Sequence, residues 1–396
     1  MKKFILIHYS EIGLKKGNKD YFVEKLLVKI RLRLKTKFNH QFKVIHTLSR
    51  ILIFLDKDYS KIENLNYLNV LKIIFGIKNI QFVYSGSVNL KTLGKQIFTN
   101  FTKEIFGYDN PKTFCVRVKR SMAFKYTSSD AEMELGGILL DLGISMKVKL
   151  KSPDITINVE FFNDRGYFSY FKYEGAGGMP PSSQGKLVSL ISSGIDSPVA
   201  SYSMMKRGVK IIFVHFHGYP YTGKDEMEQV CDLVKILSGY QDGAKLYFVP
   251  YGKIQKAIAS NLHVPGKIRT VLYRRTMLRI AEKIAYKEKA KGLVTGDNFG
   301  QVASQTPENL FAIHDVSTIP LYQPLISFDK ENIVRESSKI GTYDISKLPC
   351  KESCVMFMPK HPELKANIRD VNEYEKSLPI DRLINEALAN YDVKNF

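Results

Sequence analysis

The sequence predicts an α/β protein of two or three domains that closes in a doubly wound parallel sheet. Its 396 residues exceed one ordinary domain. A hydrophobic content of 44%, with 12% aromatic residues, supplies well-buried cores and excludes wholesale disorder. From Lys186 onward, Val/Leu/Ile-rich runs alternate with helical periods, and that βαβα rhythm implies parallel strands covered on both faces. No run approaches eighteen apolar residues, so no membrane span is expected. No internal repeat or low-complexity tract interrupts the chain.

In order, Phe4–Tyr9 alternates as a strand and residues 11–19, rich in Gly and Lys, read as a loop. Asp20 is placed to cap a helix from Tyr21 to about Lys37, with Phe22, Leu26, Leu27, Ile30 and Leu34 on one face. Strands over residues 42–45 and 50–55 complete a small α+β unit, residues 1–60. A second unit, residues 61–174, holds a helix to Lys72, a strand near Ile80–Tyr84, a helix over Leu90–Phe106 and a strand over Phe114–Val118. A helix from Ser129 to Leu142, capped by Ser128 or Ser129, and strands over 154–162 and 167–172 follow. Residues 174–185, rich in Gly, Pro and Ser, link to the third unit, residues 175–396. There the strands Val209–His217, Lys245–Pro250 and Gly292–Thr295 alternate with helices reaching Leu237 and spanning Thr270–Lys289.

Charge narrows the partner. The chain carries 59 Lys+Arg against 39 Asp+Glu, a formal net of +20. About 30 basic and 16 acidic residues lie in the first 178 positions, so roughly +14 of the excess sits ahead of the parallel-sheet unit. That distribution suits a polyanion better than a membrane surface, because the basic residues are spread rather than gathered on one amphipathic helix. The four cysteines, Cys115, Cys231, Cys350 and Cys354, make no secreted disulfide framework, so a cytoplasmic chain with free thiols is expected.

The most informative segment is Lys186–Ile191 followed by Ser192, Ser193, Gly194, Ile195, Asp196 and Ser197. A buried strand, a small-residue loop and a helix start aim backbone N–H groups and the helix dipole at an anion. No Lys–Ser/Thr pair follows the last glycine, so this is not a Walker loop. Asp196 inside the cradle repels bare phosphate and calls for a bridging cation, which points to Mg-bound pyrophosphate. The pattern resembles the Ser-Gly-Gly-x-Asp-Ser loop of the PP-loop ATP pyrophosphatases. Ser193 stands where that loop has its first glycine, and a φ > 0 there would cost on the order of 1 kcal/mol.

Further segments resemble one family along nearly the whole chain: the tRNA 4-thiouridine synthases, or tRNA uridine 4-sulfurtransferases of the ThiI type. The segment His8–Asn18 is similar to the motif of the family's ferredoxin-like domain. Cys115–Arg120, Gly136–Gly137 and Gly177–Pro180 resemble its THUMP domain and exit. Val294–Thr306, Arg274–Arg279, Pro324–Lys330 and Ile340–Ser346 resemble its PP-loop domain. The resemblance implies a ferredoxin-like domain, a THUMP RNA-binding domain and a Rossmann-like PP-loop domain. It assigns ATP to Leu190, Ile191, Ser192, Ser193, Gly194, Ser197, His215, Phe216, Arg274, Gly296 and Gln305. Asp196 is expected to orient Mg2+-pyrophosphate, and Lys330 to neutralise charge on the leaving group. No separate metal site is expected.

Cys354 matches the family cysteine that works with the sulfur donor, and Cys350 replaces the adjacent cysteine often found there, with Ser353 beside Cys354. Four residues apart on a turn, Cys350 and Cys354 are spaced for a disulfide. The roughly forty residues after Cys354 leave no room for the rhodanese domain of larger members. An external cysteine desulfurase, or another persulfide or sulfide donor, is therefore expected, with tRNA as the second partner and a homodimer allowed. The implied function is adenylation of uridine 8 of tRNA and replacement of its O4 by sulfur. Sulfur transfer for thiamine thiazole synthesis is a second implied role. The competing readings are another PP-loop tRNA-modifying or nucleotide-amidating ligase, and an RNA-binding adaptor with a decayed loop.

Overall fold

A computed structural model describes residues 1–15, 17–38, 42–55, 61–105, 111–121, 124–349, 357 and 359–396, without the side chains of 61–63 and 102. The chain divides into two compact units, Met1–Pro180 and Pro181–Phe396.

The first unit is built on β1 (Lys3–Tyr9), β2 (Val44–Thr47), β3 (Arg50–Phe54), β4 (Ile77–Gly86), β5 (Thr113–Arg120), β6 (Lys147–Val148), β7 (Ile155–Phe162), β8 (Arg165–Ser169) and β9 (Tyr173–Glu174). They form one sheet in the order β2-β3-β1-β4-β8-β7-β5-β6, with β9 beside β4. The helices α1 (Lys19–Phe38) and α2 (Lys61–Leu71) bury Leu26, Ile30, Tyr67 and Leu71 against Ile5, Ile7, Ile53 and Ile80. Farther along the same sheet, α3 (Leu90–Ile105) and α4 (Ser128–Asp141) cover Val116, Ile157 and Phe168. The core over β1 thus continues through α2 and β4, past the boundary expected at residue 60. The reason is pairing: β4 gives one edge to β1 and the other to β8.

The opposite face rolls up. Arg50 Nε on β3 donates to Glu160 Oε2 on β7 at 2.7 Å, although β1, β4 and β8 lie between them in strand order. Four strand spacings in a flat sheet would separate them by about 19 Å. The curl closes Phe4, Leu6, Leu52, Val83, Phe162 and Tyr167 into a second small core. Two local expectations are corrected. The first-unit helix begins at Lys19, so Asp20 lies in its first turn rather than at its cap. Thr127, not a serine, caps α4 by accepting from Asp130 N; on the same helix Glu132 accepts from Val118 N at 2.9 Å.

In the second unit, β10 (Lys186–Leu190), β11 (Lys210–His217), β12 (Lys245–Pro250), β13 (Leu293–Val294), β14 (Leu321–Tyr322) and β15 (Asp392–Asn395) form a sheet ordered β14-β13-β10-β11-β12-β15. All pairs are parallel except the antiparallel edge pair of β12 with β15, which the periodicity did not announce. The connecting helices are α5 (Asp196–Lys206), α6 (Asp225–Gln241), α7 (Gly252–Ser260), α8 (Arg269–Glu288), α9 (Pro307–His314), α10 (Lys330–Ile340), α11 (Tyr343–Ser346), α12 (Ile368–Lys376) and α13 (Ile380–Ala389). On one side α8 and α13 pack Val271, Leu272, Leu278 and Ile384 against Val188, Ile212, Val214 and Phe216. On the other, α5 and α6 lie along β11. The chain runs outward from β10 through β11 to β12, then returns to β13 on the far side of β10. That reversal opens a crevice at the carboxyl ends of β10 and β13. No described helix is long and apolar enough to cross a membrane.

Candidate functional site

At that crevice the chain leaves β10, turns through residues 191–195 and enters α5. The turn is pinned locally: Ser192 N donates to Ser197 Oγ at 2.9 Å, and the two hydroxyls lie 3.2 Å apart. Neither Ser193 nor Gly194 adopts a positive φ. The serine in the position of a glycine therefore carries no left-handed strain, and its side chain is buried. Gly296, just past β13, is where a glycine is required. A Cβ there would lie 2.8 Å from Ser197 N and 3.0 Å from Asp196 C, so only a bare backbone lets the strand end rest on the first turn of α5.

A cavity of about 250 Å³ opens over this junction. Its walls include Leu190, Ile191, Ser192, Asp196, Ser197, His215, Phe216, Arg274, Gly296 and Gln305, ten of the positions singled out from sequence. Ser193 and Gly194 belong to the loop but not to the lining. Glu226, Met277, Thr295 and Asp297 also line it and were missed. Lys330, the first residue of α10, places Nζ 2.9 and 3.1 Å from the two carboxylate oxygens of Asp196. Cys350 and Cys354 lie outside the described residues. The chain before them is held to α6, where Gln229 donates to Leu348 O. After them, Phe357 O accepts from Tyr273 Oη of α8 at 3.2 Å.

Asp297 organises one wall. Its carboxylate is 3% exposed and accepts from Arg274 at 2.6 and 2.7 Å, Thr295 Oγ1 at 2.7 Å, Gln323 Nε2 at 3.1 Å and Gln305 Nε2 at 3.3 Å. Burial opposes its ionisation, but Arg274 and these donors together hold its pKa below the usual carboxylate range. The neighbouring Arg275 has a different fate. One residue on along α8 its side chain points away, fully buried, and pairs with Glu375 at 3.0 Å to fasten α12. Asp297 lies directly after the expected Gly296 and inside the Val294–Thr306 segment that carries the resemblance, and those were its sequence signals.

Two acceptors in the cavity are left open. His215 Nδ1 donates to Ile191 O at 3.0 Å, and burial pushes the imidazole pKa down to about 4, so Nε2 is an acceptor. Gln305 must turn its amide nitrogen toward the carboxylate of Asp297, which leaves Oε1 pointing elsewhere. Both atoms are buried and lack a hydrogen-bond partner among the described residues. Natural structures rarely orphan such atoms, so the cavity is shaped for a ligand that donates to them.

A doubly wound sheet with a small-residue loop, a helix N-terminus and a half-filled polar crevice at its switch point defines a nucleotide-binding α/β domain of the PP-loop class. Sequence profiles of three families match: the thiamine biosynthesis protein ThiI over residues 182–380, the ThiI ferredoxin-like domain over 4–80 and the THUMP domain over 89–170. The chain belongs to the ThiI family. It is 35% identical over 391 residues to a probable tRNA sulfurtransferase of Moorella thermoacetica, covering 98% of this chain and 96% of that one. A probable tRNA sulfurtransferase of Acetivibrio thermocellus is 37% identical over 404 residues, covering 99% and 98%. Among solved structures, a 4-thiouridine synthetase crystallised with RNA and bound ATP matches over 100% of both chains, with a TM-score of 0.85 and 34% identity.

Proposed function

We propose that this protein is an ATP-dependent sulfurtransferase that converts uridine 8 of tRNA to 4-thiouridine, acting in the cytoplasm. The observation that carries the reading is the crevice between β10 and β13, built from the Ser192–Ser197 turn, Gly296 and the Asp297–Arg274 pair. It sits in a chain whose full length superposes on a 4-thiouridine synthetase solved with RNA and ATP. The loop amides and the positive end of α5 receive the triphosphate. The lone carboxylate of Asp196 on the loop fits a divalent cation carried in with the nucleotide, so Mg2+ would be held there and would screen the phosphates. Lys330, now paired with Asp196, is within reach of the same charge.

In the first half-reaction uridine O4 bonds to the α-phosphorus, the bond to pyrophosphate breaks and the N3 proton is lost. In the second, the outer sulfur of a persulfide on Cys354 attacks C4 and AMP departs. The Cys350 thiol then attacks Cys354, leaving a disulfide on the protein and sulfur on the base, and an external thiol reductant resets the pair. A cysteine desulfurase or another persulfide donor loads Cys354. The family description, thiamine biosynthesis protein, supports sulfur delivery for thiazole synthesis as a second role.

The test separates the halves. Cys354→Ser should still release pyrophosphate with tRNA and ATP yet make no 4-thiouridine from a persulfide donor, as read by mass spectrometry of digested tRNA. Full multiple-turnover thiolation by that variant would remove Cys354 from the mechanism.

A further inference from the structure

The segment joining β11 to α6 begins and ends at the nucleotide cavity, because Phe216 and Glu226 both line it. Its middle, residues 219–221, lines a neighbouring slot at the carboxyl end of β12, where His217 pairs with Pro250. Two partly exposed tyrosines stand on this segment, Tyr219 at 46% and Tyr221 at 40% exposure. Each has an ammonium group over its ring: Lys224 at 5.2 Å from the Tyr219 centroid and Lys256 at 5.9 Å from that of Tyr221.

The loop is held in place. Tyr221 N donates to Gly218 O at 2.8 Å, and the ring of Tyr221 lies so close over Gly252 that a Cβ there would meet it at 2.5 Å. Between the two tyrosines, α7 and α13 is a slot of about 350 Å³, walled by Ile254, Leu383 and Ala387, with Lys253 and Glu386 at its edge. The ring of Phe357, three residues beyond Cys354, approaches Tyr221 edge-on at 6.3 Å.

Aromatic faces paired with lysines around an apolar slot are the usual device for holding an unpaired nucleotide: the base stacks, and its phosphates meet the ammonium groups. Uracil O4 is engaged inside a duplex or a stacked tertiary pair, so an enzyme working on it must open the RNA and support the freed strand. We infer that Tyr219, Tyr221, Lys224 and Lys256 form a stacking platform that takes an unpaired RNA nucleotide beside the target uridine. In this platform Glu386, which lines the slot, would accept from an exocyclic amine of the base, and the two lysines would meet its phosphates. This inference rests on the tRNA-thiolation reading above.

The experiment uses the full chain, ATP and an unmodified tRNA transcript, and follows pyrophosphate. RNA-dependent release by the wild type is the first requirement. Its absence sinks the thiolation reading itself, whatever the variants do. Granted that release, Tyr219→Ala or Tyr221→Ala should slow it about 10-fold each and the pair about 100-fold. ATP affinity without RNA should stay within about twofold, and the double Phe variant should keep at least half the rate, because phenylalanine still stacks. Lys224→Gln with Lys256→Gln should lower the slope of log affinity for tRNA against log salt by about two.

Four results overturn the platform: an unchanged rate in the double Ala variant, a fall in ATP affinity as large as the fall in rate, a Phe variant as slow as the Ala variant, or an unchanged salt slope. Loss of persulfide-driven thiolation with pyrophosphate release intact also overturns it, and assigns the slot to a sulfur-donor protein.

Discussion

A buried carboxylate sits among donors in each unit, Glu160 in the first and Asp297 in the second, and the two arrangements end differently. In the first unit Glu160 is 3% exposed and meets His8 at 3.0 Å and Arg50 at 2.7 Å, while the other nitrogen of His8 faces Asn79 at 2.9 Å. Those contacts close on one another and pin the rolled sheet. In the second unit Asp297 collects Arg274, Thr295, Gln305 and Gln323, but two of the cavity's own acceptors, on His215 and Gln305, stay open. A buried ion pair is thus a poor marker of a site by itself, since Glu160 and Asp297 are equally hidden and equally well paired. What separates them is the unfinished hydrogen bonding beside Asp297 and a glycine whose missing Cβ makes room at the sheet edge.

The largest effect should come from the loop itself. Asp196→Ala removes the only carboxylate of the turn, and pyrophosphate release should fall about 100-fold or more while tRNA affinity stays within about twofold. Release at the wild-type rate would mean that the crevice is not where ATP reacts.

The comparison is put most directly by two neutralising variants. Asp297→Asn and Glu160→Gln each strand a cation and should cost about 3 kcal/mol of stability, measured by denaturant unfolding. Only Asp297→Asn should also weaken ATP binding, through Arg274 and Gln305. An equal change in ATP affinity from both would erase the distinction. Gly296→Ala should cost about 1–3 kcal/mol, since the new methyl group meets the backbone of α5 rather than a yielding side chain. Its ATP affinity should drop as well, and a variant as stable as the wild type would contradict the packing at the switch point.

Acid should separate the units last and least. His215 is held neutral, its pKa pushed down to about 4 by burial, whereas the unfolded chain takes up its proton near 6.5. Its contribution is complete above pH 6.5 and is lost as pH falls toward 4. Glu160 has its pKa lowered to about 2 by His8 and Arg50 against the opposing cost of burial, so its contribution holds down to about 4.5 and fades only below that. Hydrogen exchange at pH 7.5, 5.5 and 4 should show the second unit loosening first, and His215→Phe should remove part of that loss. A first unit that opens earlier would reverse the assignment.

Much of the site was legible because it is local. The turn from Ser192 to Ser197, the strand ends at Ile191 and Phe216 and the Gly296 position all sit at the carboxyl ends of segments whose periodicity marks them as strands. Arg274 on α8 and Lys330 at the start of α10 were reached through motifs that resemble a family rather than through pattern alone.

The chain's own order of residues was thus enough for the alternation of elements, the small-residue turn into α5 and the basic excess of the first unit, because each depends on neighbours within a turn or a strand or on composition alone. It did not disclose the Glu160 cluster, whose partners lie 110 and 152 residues away and meet only because the sheet curls. Nor did it disclose Asp297 as the hub of the crevice, since its donors come from a helix, a strand end and two loops brought together by the strand order. Periodicity reports which face of an element is buried. Which charged groups share that burial is decided by how distant elements are stacked, and only the folded sheet settles it.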